Sequence, residues 1–293
     1  MQIENLRVFC DLVESESFTK AAQINGVTQS AISQTLSGLE RTFKSLLIQR
    51  SRKHFGLTPE GRVLYDYSKQ IIQTAQSLDS RLHELKDLIS GTIRVAAIYS
   101  IGLHDLPPFI RKFMKSHPTV NIHVEYRQAS QVYEDVLGNS VDLGLVAHPV
   151  KDAKLTILPL RHEPLVLICH PQHAFAKRKS IKLTALKGQK LISFDPQTPT
   201  RKALDKVFKQ HGVTVNHVME FDNVETVKRA VEIEAGLSIV PQITVMQEIE
   251  KRTLAAVEIK ADQFFWPVAA IYKTKRVLSP AMKEFLAILK GTA

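Results

Sequence analysis

The chain has 293 residues, 44% of them hydrophobic, with a formal charge of +10 and two cysteines. That is enough apolar material for two or three buried cores, which excludes a disordered chain, and no apolar run reaches the roughly 18 residues that a membrane span needs. Glu4, Arg7 and Asp11 within an opening helical pattern argue against a signal peptide, so a cytoplasmic protein without a membrane partner is expected. Cys10 and Cys169 fall in separate apolar segments, which predicts buried thiols instead of a disulfide. The absence of a CxxC or Cys/His cluster predicts no metal, and no cofactor is expected.

Residues 3–15 place Ile3, Leu6, Phe9, Cys10, Leu12 and Val13 at helical spacing, an amphipathic scaffold helix. Next comes SFTKAAQINGVTQSAISQTLSGLE, residues 17–40. Phe18, Ala21, Ala22 and Ile24 predict a short buried helix that Ser17 or Thr19 can cap. Gly26 can end it in a left-handed conformation, and Thr28 can cap a second helix running on through Phe43. Two helices across a tight turn make a helix-turn-helix.

In the second helix Ala31, Ile32, Leu36 and Leu39 share one side, leaving Thr28, Gln29, Ser30, Ser33, Gln34 and Ser37 for the other. That face is small, uncharged and rich in hydrogen-bonding groups. A major-groove helix needs such a face, because short side chains let the backbone approach and Gln can pair with an adenine edge. An ordinary solvated face would look similar, and the flanking residues separate the two readings. From Arg41 to Thr58 there are five basic residues, Arg41, Lys44, Arg50, Arg52 and Lys53, and no acidic one, whereas residues 1–90 carry 11 basic against 10 acidic. The local excess directly follows the recognition helix, where phosphate contact explains its sign and position. LLIQRSRKHFGLTPEG predicts a two-stranded wing whose Arg50, Arg52 and Lys53 would grip phosphates or reach the minor groove.

At Thr58-Pro59-Glu60-Gly61 a long helix is predicted, capped by Thr58 with Pro59 at its first position. Leu64, Ile71, Leu78 and Leu85 recur every seven residues, and Ala75, Leu82 and Ile89 repeat at the same interval. This is a coiled-coil seam, and a helix of about 30 residues spans roughly 45 Å, so it calls for a homodimer partner. Two recognition helices on one duplex imply an interrupted palindromic operator in double-stranded DNA.

With these residues in place the chain resembles the LysR-type transcriptional regulators along its whole length. FTKAAQINGVTQSAISQTLSGLE, Leu47-Ile48-Gln49-Arg50 and Leu57-Thr58-Pro59-Glu60-Gly61 stand in the family's order and spacing. Ser30 occupies a position where proline is usual, Gln34 one where a basic residue is frequent, and Ile48 one where phenylalanine is usual.

Gly91 is expected to end the long helix. Beyond it, apolar strands alternate with helices: 94–100, a helix at 103–116, 120–126, a helix at 131–137 and 141–147; then 164–170, 191–194, a helix at 199–211, 218–221, a helix at 224–235, 237–241, 264–272 and a last helix at 280–289. This is an α/β pattern. The resemblance implies two α/β lobes like those of periplasmic solute-binding proteins, hinged near residues 161 and 266. The expected organisation is a winged helix-turn-helix domain at 1–58 and a linker and dimerisation helix at 59–90. Effector lobe 1 then comprises 91–161 and 267–293, and lobe 2 comprises 162–266. A tetramer, as a pair of dimers, is implied by the family alone.

Three strand-to-helix junctions carry small polar residues: Tyr99-Ser100-Ile101-Gly102, Gln128-Ala129-Ser130 and Thr198-Pro199-Thr200. Helix starts leave backbone donors free, so several around one cleft can hold an anion. A fourth, Asp222-Asn223-Val224-Glu225, has capping-box spacing and can satisfy its own donors. The family places its small-molecule effector between the lobes, which implies Ser100, Ile101, Gly102, Ser130, Ala147, His148, Thr198, Thr200 and Phe221 as wall residues, with Ser100 and Thr200 foremost. His148 reads equally as a group titrating near neutral pH or as a hydrogen-bonded hinge histidine. The region holds 28 basic against 19 acidic residues, which favours an anionic effector. The expected function is a ligand-controlled regulator of transcription, and the alternative is an architectural DNA-binding protein that uses its α/β region only to oligomerise. No nucleophile elbow, P-loop or dinucleotide fingerprint supports an enzyme.

Overall fold

The computed structural model describes residues 2–51, 54–84, 89–261 and 264–291. They form two compact units, the first comprising Met1–Leu88 with Gly138–Ser140 and the second Ile89–Leu137 with Val141–Ala293.

In the first unit, helix α1 (Ile3–Ser15) buries Leu6, Phe9, Cys10 and Leu12. Helix α2 (Phe18–Asn25) starts at Ser17, whose hydroxyl accepts from Lys20 N, and ends at Gly26 with φ 63°. Asn25 ties it to α1 by donating to Asp11 Oδ2 at 2.8 Å. Only Ala21 and Ala22 are buried in α2, and Ile24 is 63% exposed, so the helix is less enclosed than its composition predicts. Helix α3 (Gln29–Phe43) is capped by Thr28 and buries Ile32, Leu36 and Leu39. Strands β1 (Ile48–Ser51) and β2 (His54–Leu57) pair antiparallel as a wing.

Helix α4 (Pro59–Glu84) follows, with Thr58 Oγ1 accepting from Gly61 N at 2.9 Å and donating to Leu46 O at 2.6 Å. Gly61 is required there, because a Cβ would lie 1.9 Å from the Leu47 carbonyl oxygen. Glu14 of α1 accepts from Tyr65 Oη at 2.9 Å and pairs with Lys69 at 2.6 Å, fixing α4 against the bundle. The expected seam divides. Leu64 packs into the bundle core with Tyr65 and Ile72, whereas Ile71 and Leu78 are 38% and 59% exposed. Leu85 and the Leu82 side chain lie outside the described residues. Ile89 is not part of the seam, since it packs on the core of the second unit, and Gly91 opens a strand instead of ending a helix.

The second unit begins with β3 (Gly91–Ile98), a short wide helical turn at Ile101–Asp105, α5 (Pro107–Ser116), β4 (Val120–Arg127), α6 (Ala129–Leu137) and β5 (Leu143–Ala147). Strand β6 (Leu155–Cys169) precedes β7 (Ser180–Lys182), β8 (Lys190–Phe194), α7 (Pro199–Gln210), β9 (Asn216–Phe221), α8 (Val224–Glu232) and β10 (Ser238–Pro241). The last elements are α9 (Met246–Lys251), β11 (Ala255–Lys260), β12 (Phe265–Lys273) and α10 (Pro280–Lys290). Strands β4, β3 and β5 run parallel, and antiparallel β12 joins them to β6. The first half of β6 follows β12 from Leu155 to Pro164, and its second half pairs with β10 and β11. Strand β6 therefore runs from one half of the sheet system into the other. Strands β8 and β9 form a parallel pair, linked to β10 where Ile192 N donates to Leu237 O at 2.7 Å. One lobe packs Val132, Val136 and Ile271 around its sheet, and the other packs Ile192, Val227 and Val240.

Candidate functional site

The outward face of α3 presents Thr28, Gln29, Ser30 and Gln34 to solvent, with Ser33 and Ser37 half-buried beside them. Thr28 Oγ1 accepts from Ala31 N at 3.3 Å and lies 2.8 Å from Ser30 Oγ, so these two hydroxyls shape the start of the helix. Gln29 and Gln34 carry the longest hydrogen-bonding reach on the face. Arg52 and Lys53, and the Arg50 side chain, lie outside the described residues.

In the second unit a cleft of about 440 Å³ opens between the lobes. Its walls bring together the ends of β3, β4 and β5 on one side and of β8, β9 and β10 on the other. Ser100, Ser130 and Ala147 face it from the first lobe, Thr198 and Thr200 from the second. Thr198 caps α7 by accepting from Arg201 N at 3.3 Å and donates to Asp195 O at 2.8 Å. Thr200 Oγ1 accepts from the Trp266 indole at 3.1 Å, which leaves its own hydroxyl proton to donate. Trp266, on β12 beside the crossing, floors the cleft with Phe194 and Pro241.

Four expected wall residues sit elsewhere. Ile101 is buried in the core, as the apolar first residue of the Ile101–Asp105 turn. Gly102 supports Tyr126, since a Cβ there would lie 2.4 Å from the tyrosine ring. Phe221 packs on the core of the second lobe, and strand alternation turns its neighbour Asp222 to the cleft instead. His148 adopts φ 46° and donates its backbone N–H to Pro267 O at 2.9 Å. Burial pushes its imidazole down to a pKa of about 4, so it does not titrate near neutral pH, and Nε2 is buried with no hydrogen-bond partner among the described residues.

Residues absent from the expected set line the cleft as well: Tyr99, Gln128, Tyr133, Asp222 and Asn223. Four of them, all but Tyr133, stand within the quoted junctions, and the signal that could have found Trp266 was its place as the lone tryptophan at the expected hinge. Polar contacts between the lobes include two near the cleft mouth among the described residues. Gln128 Nε2 donates to Asp222 Oδ2 at 3.2 Å, and His104 Nε2 lies 2.6 Å from Glu225 Oε1. Asn223 caps α8 by accepting from Thr226 N at 3.1 Å, while Glu225 turns to His104 and Lys228. Burial raises the carboxyl pKa of Glu225, but the bonds from His104 and Lys228 outweigh it and hold the group below its ordinary value. The basic excess of the region does not reach the cleft: its wall carries Asp195 and Asp222 against Arg127, which is paired with Glu125 and Asp135.

Residues 3–62 match the bacterial regulatory helix-turn-helix protein family of lysR type, and residues 86–293 match the LysR substrate binding domain. The chain belongs to the LysR family of transcriptional regulators. It is therefore a DNA-binding regulator with an effector-binding domain and not an enzyme. Among its relatives, the RuBisCO operon transcriptional regulator of Allochromatium vinosum is 28% identical over 97% of this chain and 94% of its own. The HTH-type transcriptional regulator CysL of Bacillus subtilis is 27% identical over 88% of this chain and 87% of its own. The LysR fold recurs in solved structures. Full-length CbnR complexed with its target DNA superposes with a TM-score of 0.72 at 20% identity, covering 100% of both chains. A full-length OxyR variant from Pseudomonas aeruginosa gives 0.77 at 20% identity, covering 100% of this chain and 94% of that one. Among the described residues no helix is long and apolar enough to cross a membrane.

Proposed function

We propose that this LysR regulator works in the cytoplasm as a homodimer joined through α4, itself able to pair into a tetramer, on an interrupted palindromic operator. In that reading residues 1–58 read DNA, 59–90 join the protomers, and lobes 91–161 with 267–293 and 162–266 hold a small polar effector between them. The observation that carries the reading is the cleft, because it is open, lined by polar groups from both lobes and framed by the starts of α6, α7 and α8. An architectural protein would have no use for such a space. Ser100, Ser130, Ala147, Thr198 and Thr200 are the wall residues of this proposal, and Gln29, Ser30, Ser33 and Gln34 its base readers. Arg50, Arg52 and Lys53 are assigned to phosphate contact on charge alone.

Selection from a random DNA library tests the DNA half. The wild type should enrich two half-sites about one helical turn or a multiple apart. A Gln29→Ala, Ser33→Ala variant should bind with flattened sequence preference, each lost base contact removing about 1–3 kcal/mol of discrimination. An unchanged consensus in the variant would remove α3 from base readout.

A further inference from the structure

The mouth of the cleft narrows the chemical class of effector, on the reading that the effector binds there. Arg127 is the only cation on the cleft wall among the described residues, and it is engaged. It donates to Asp135 Oδ2 at 3.2 Å and to Tyr126 O at 3.2 Å and pairs with Glu125. Among the described residues no cation pairs with Asp222. Its Oδ2 accepts from Gln128 Nε2 at 3.2 Å and its Oδ1 from Asn223 Nδ2 at 2.9 Å, both uncharged amides. Asp222 is exposed and lines both the cleft and an adjoining annex of about 340 Å³. The annex is walled by Tyr99 and Tyr126, stacked with ring centroids 5.8 Å apart, Tyr126 in the space that Gly102 leaves free, and by Gln128, Gln131 and Arg127, whose charge Glu125 and Asp135 already match. A carboxylate held by amides beside a tyrosine pair, next to a guanidinium already matched by two other carboxylates, is a receptor for an ammonium group. On the cleft side, the hydroxyls of Ser130 and Thr200, in the first turns of α6 and α7, and of Ser100 beside them offer donors to a carboxylate.

We propose that the effector is a small zwitterion of the amino-acid class, its ammonium group on Asp222 beside the tyrosine pair and its carboxylate toward Ser100, Ser130 and Thr200. A dianion is the poorer fit, because its second charge would meet Asp195 or Asp222 with the Arg127 charge already matched. The ammonium group would also compete with the Gln128 amide for Asp222 Oδ2, so occupancy acts directly on a contact that joins the lobes.

The test uses the full-length protein and a thermal-shift and calorimetric panel. Its probes are the free proteinogenic amino acids, their α-hydroxy acid counterparts, inorganic phosphate, sulfate and aliphatic dicarboxylates. At least one amino acid should raise the Tm and bind, and its α-hydroxy acid, which lacks only the ammonium group, should bind at least about tenfold more weakly, a loss of about 1.4 kcal/mol. Asp222→Asn should weaken the amino acid by a similar factor, and Asp222→Glu should recover part of the loss. Equal binding of the amino acid and its α-hydroxy acid, binding of phosphate or dicarboxylates alone, or binding of no amino acid would each overturn the zwitterion. An amino acid that binds as described but leaves DNA affinity unchanged would instead overturn the regulatory reading of the cleft while leaving the ligand class standing.

Discussion

Four side chains show how burial decides chemistry residue by residue. Cys10 and Cys169 are buried, and desolvation pushes their thiols up to about 12 and about 11, so neither offers a thiolate at neutral pH. A thiol reagent at pH 8 should leave the native protein nearly unlabelled and react with both cysteines after denaturation; rapid labelling of the native protein would contradict their burial. His148 is held neutral by burial, with a pKa lowered from 6.5 to about 4. The unfolded chain therefore takes up this proton first as the pH falls. Its contribution to stability is complete above pH 6.5 and is lost progressively down to about pH 4. A His148→Asn variant, which suits the positive φ, should show a flatter stability profile across that window, measured by denaturation at a series of pH values. A profile identical to the wild type's would mean that His148 titrates alike in both states. Lys228 is 2% exposed and meets Glu225 at 3.0 Å, Glu248 at 2.9 Å and Thr244 O at 3.0 Å. Lys228→Met should cost about 3–5 kcal/mol in denaturant unfolding, because it leaves the mostly buried Glu248 carboxylate uncompensated. The sequence offered no sign of this cluster, since its three charged members are spread over α8 and α9 and meet only in the fold.

Among the elements, α4 carries the clearest assignment still open on its surface. Val63, Tyr67, Ile71 and Leu78 are exposed on one chain, more apolar side chain than an isolated surface helix presents to water. Ile71→Glu with Leu78→Glu should convert a dimer to a monomer in light scattering and weaken operator binding, with little change in the fold of the bundle itself. A dimer of unchanged affinity would move the interface elsewhere. The helix-turn-helix was legible in the sequence because capping and turn chemistry are local: Ser17, Gly26 and Thr28 do what their residue types allow. Strand β6 was half legible. Its second half is a plain apolar run, whereas Leu155–Glu163 holds Pro159 and alternates poorly. The structure accommodates that proline at a register shift, where Pro159 and Arg161 face successive residues of β12. Strand β11 was not seen at all, although Val257 and Ile259 alternate inward, because six residues give too short a pattern to stand alone. The wall residues show the same limit at finer grain: the polar junctions could be found, but which neighbour turns inward, Asp222 instead of Phe221, depends on the pairing of β9 with β8.

For the whole molecule, the proposed control of a DNA-reading unit by an effector-binding unit requires a coupling free energy between two binding events. By linkage it must be reciprocal: an effector that changes operator affinity by a given factor has its own affinity changed by the same factor when the operator is present. The lobe contacts Gln128–Asp222 and His104–Glu225 are the parts of the effector unit whose rearrangement could carry that coupling, since both flank the cleft and join one lobe to the other. The most direct measurement is operator affinity, by fluorescence anisotropy at fixed salt, with and without the amino-acid panel, for the wild type and for a cleft-filling Ser130→Trp variant. The account predicts that one member of the panel shifts the wild-type Kd at least about fivefold, within the usual range of allosteric coupling, and leaves the variant's Kd unchanged. A shift of equal size in the filled variant, or a ligand that occupies the cleft without moving the wild-type Kd, would contradict it.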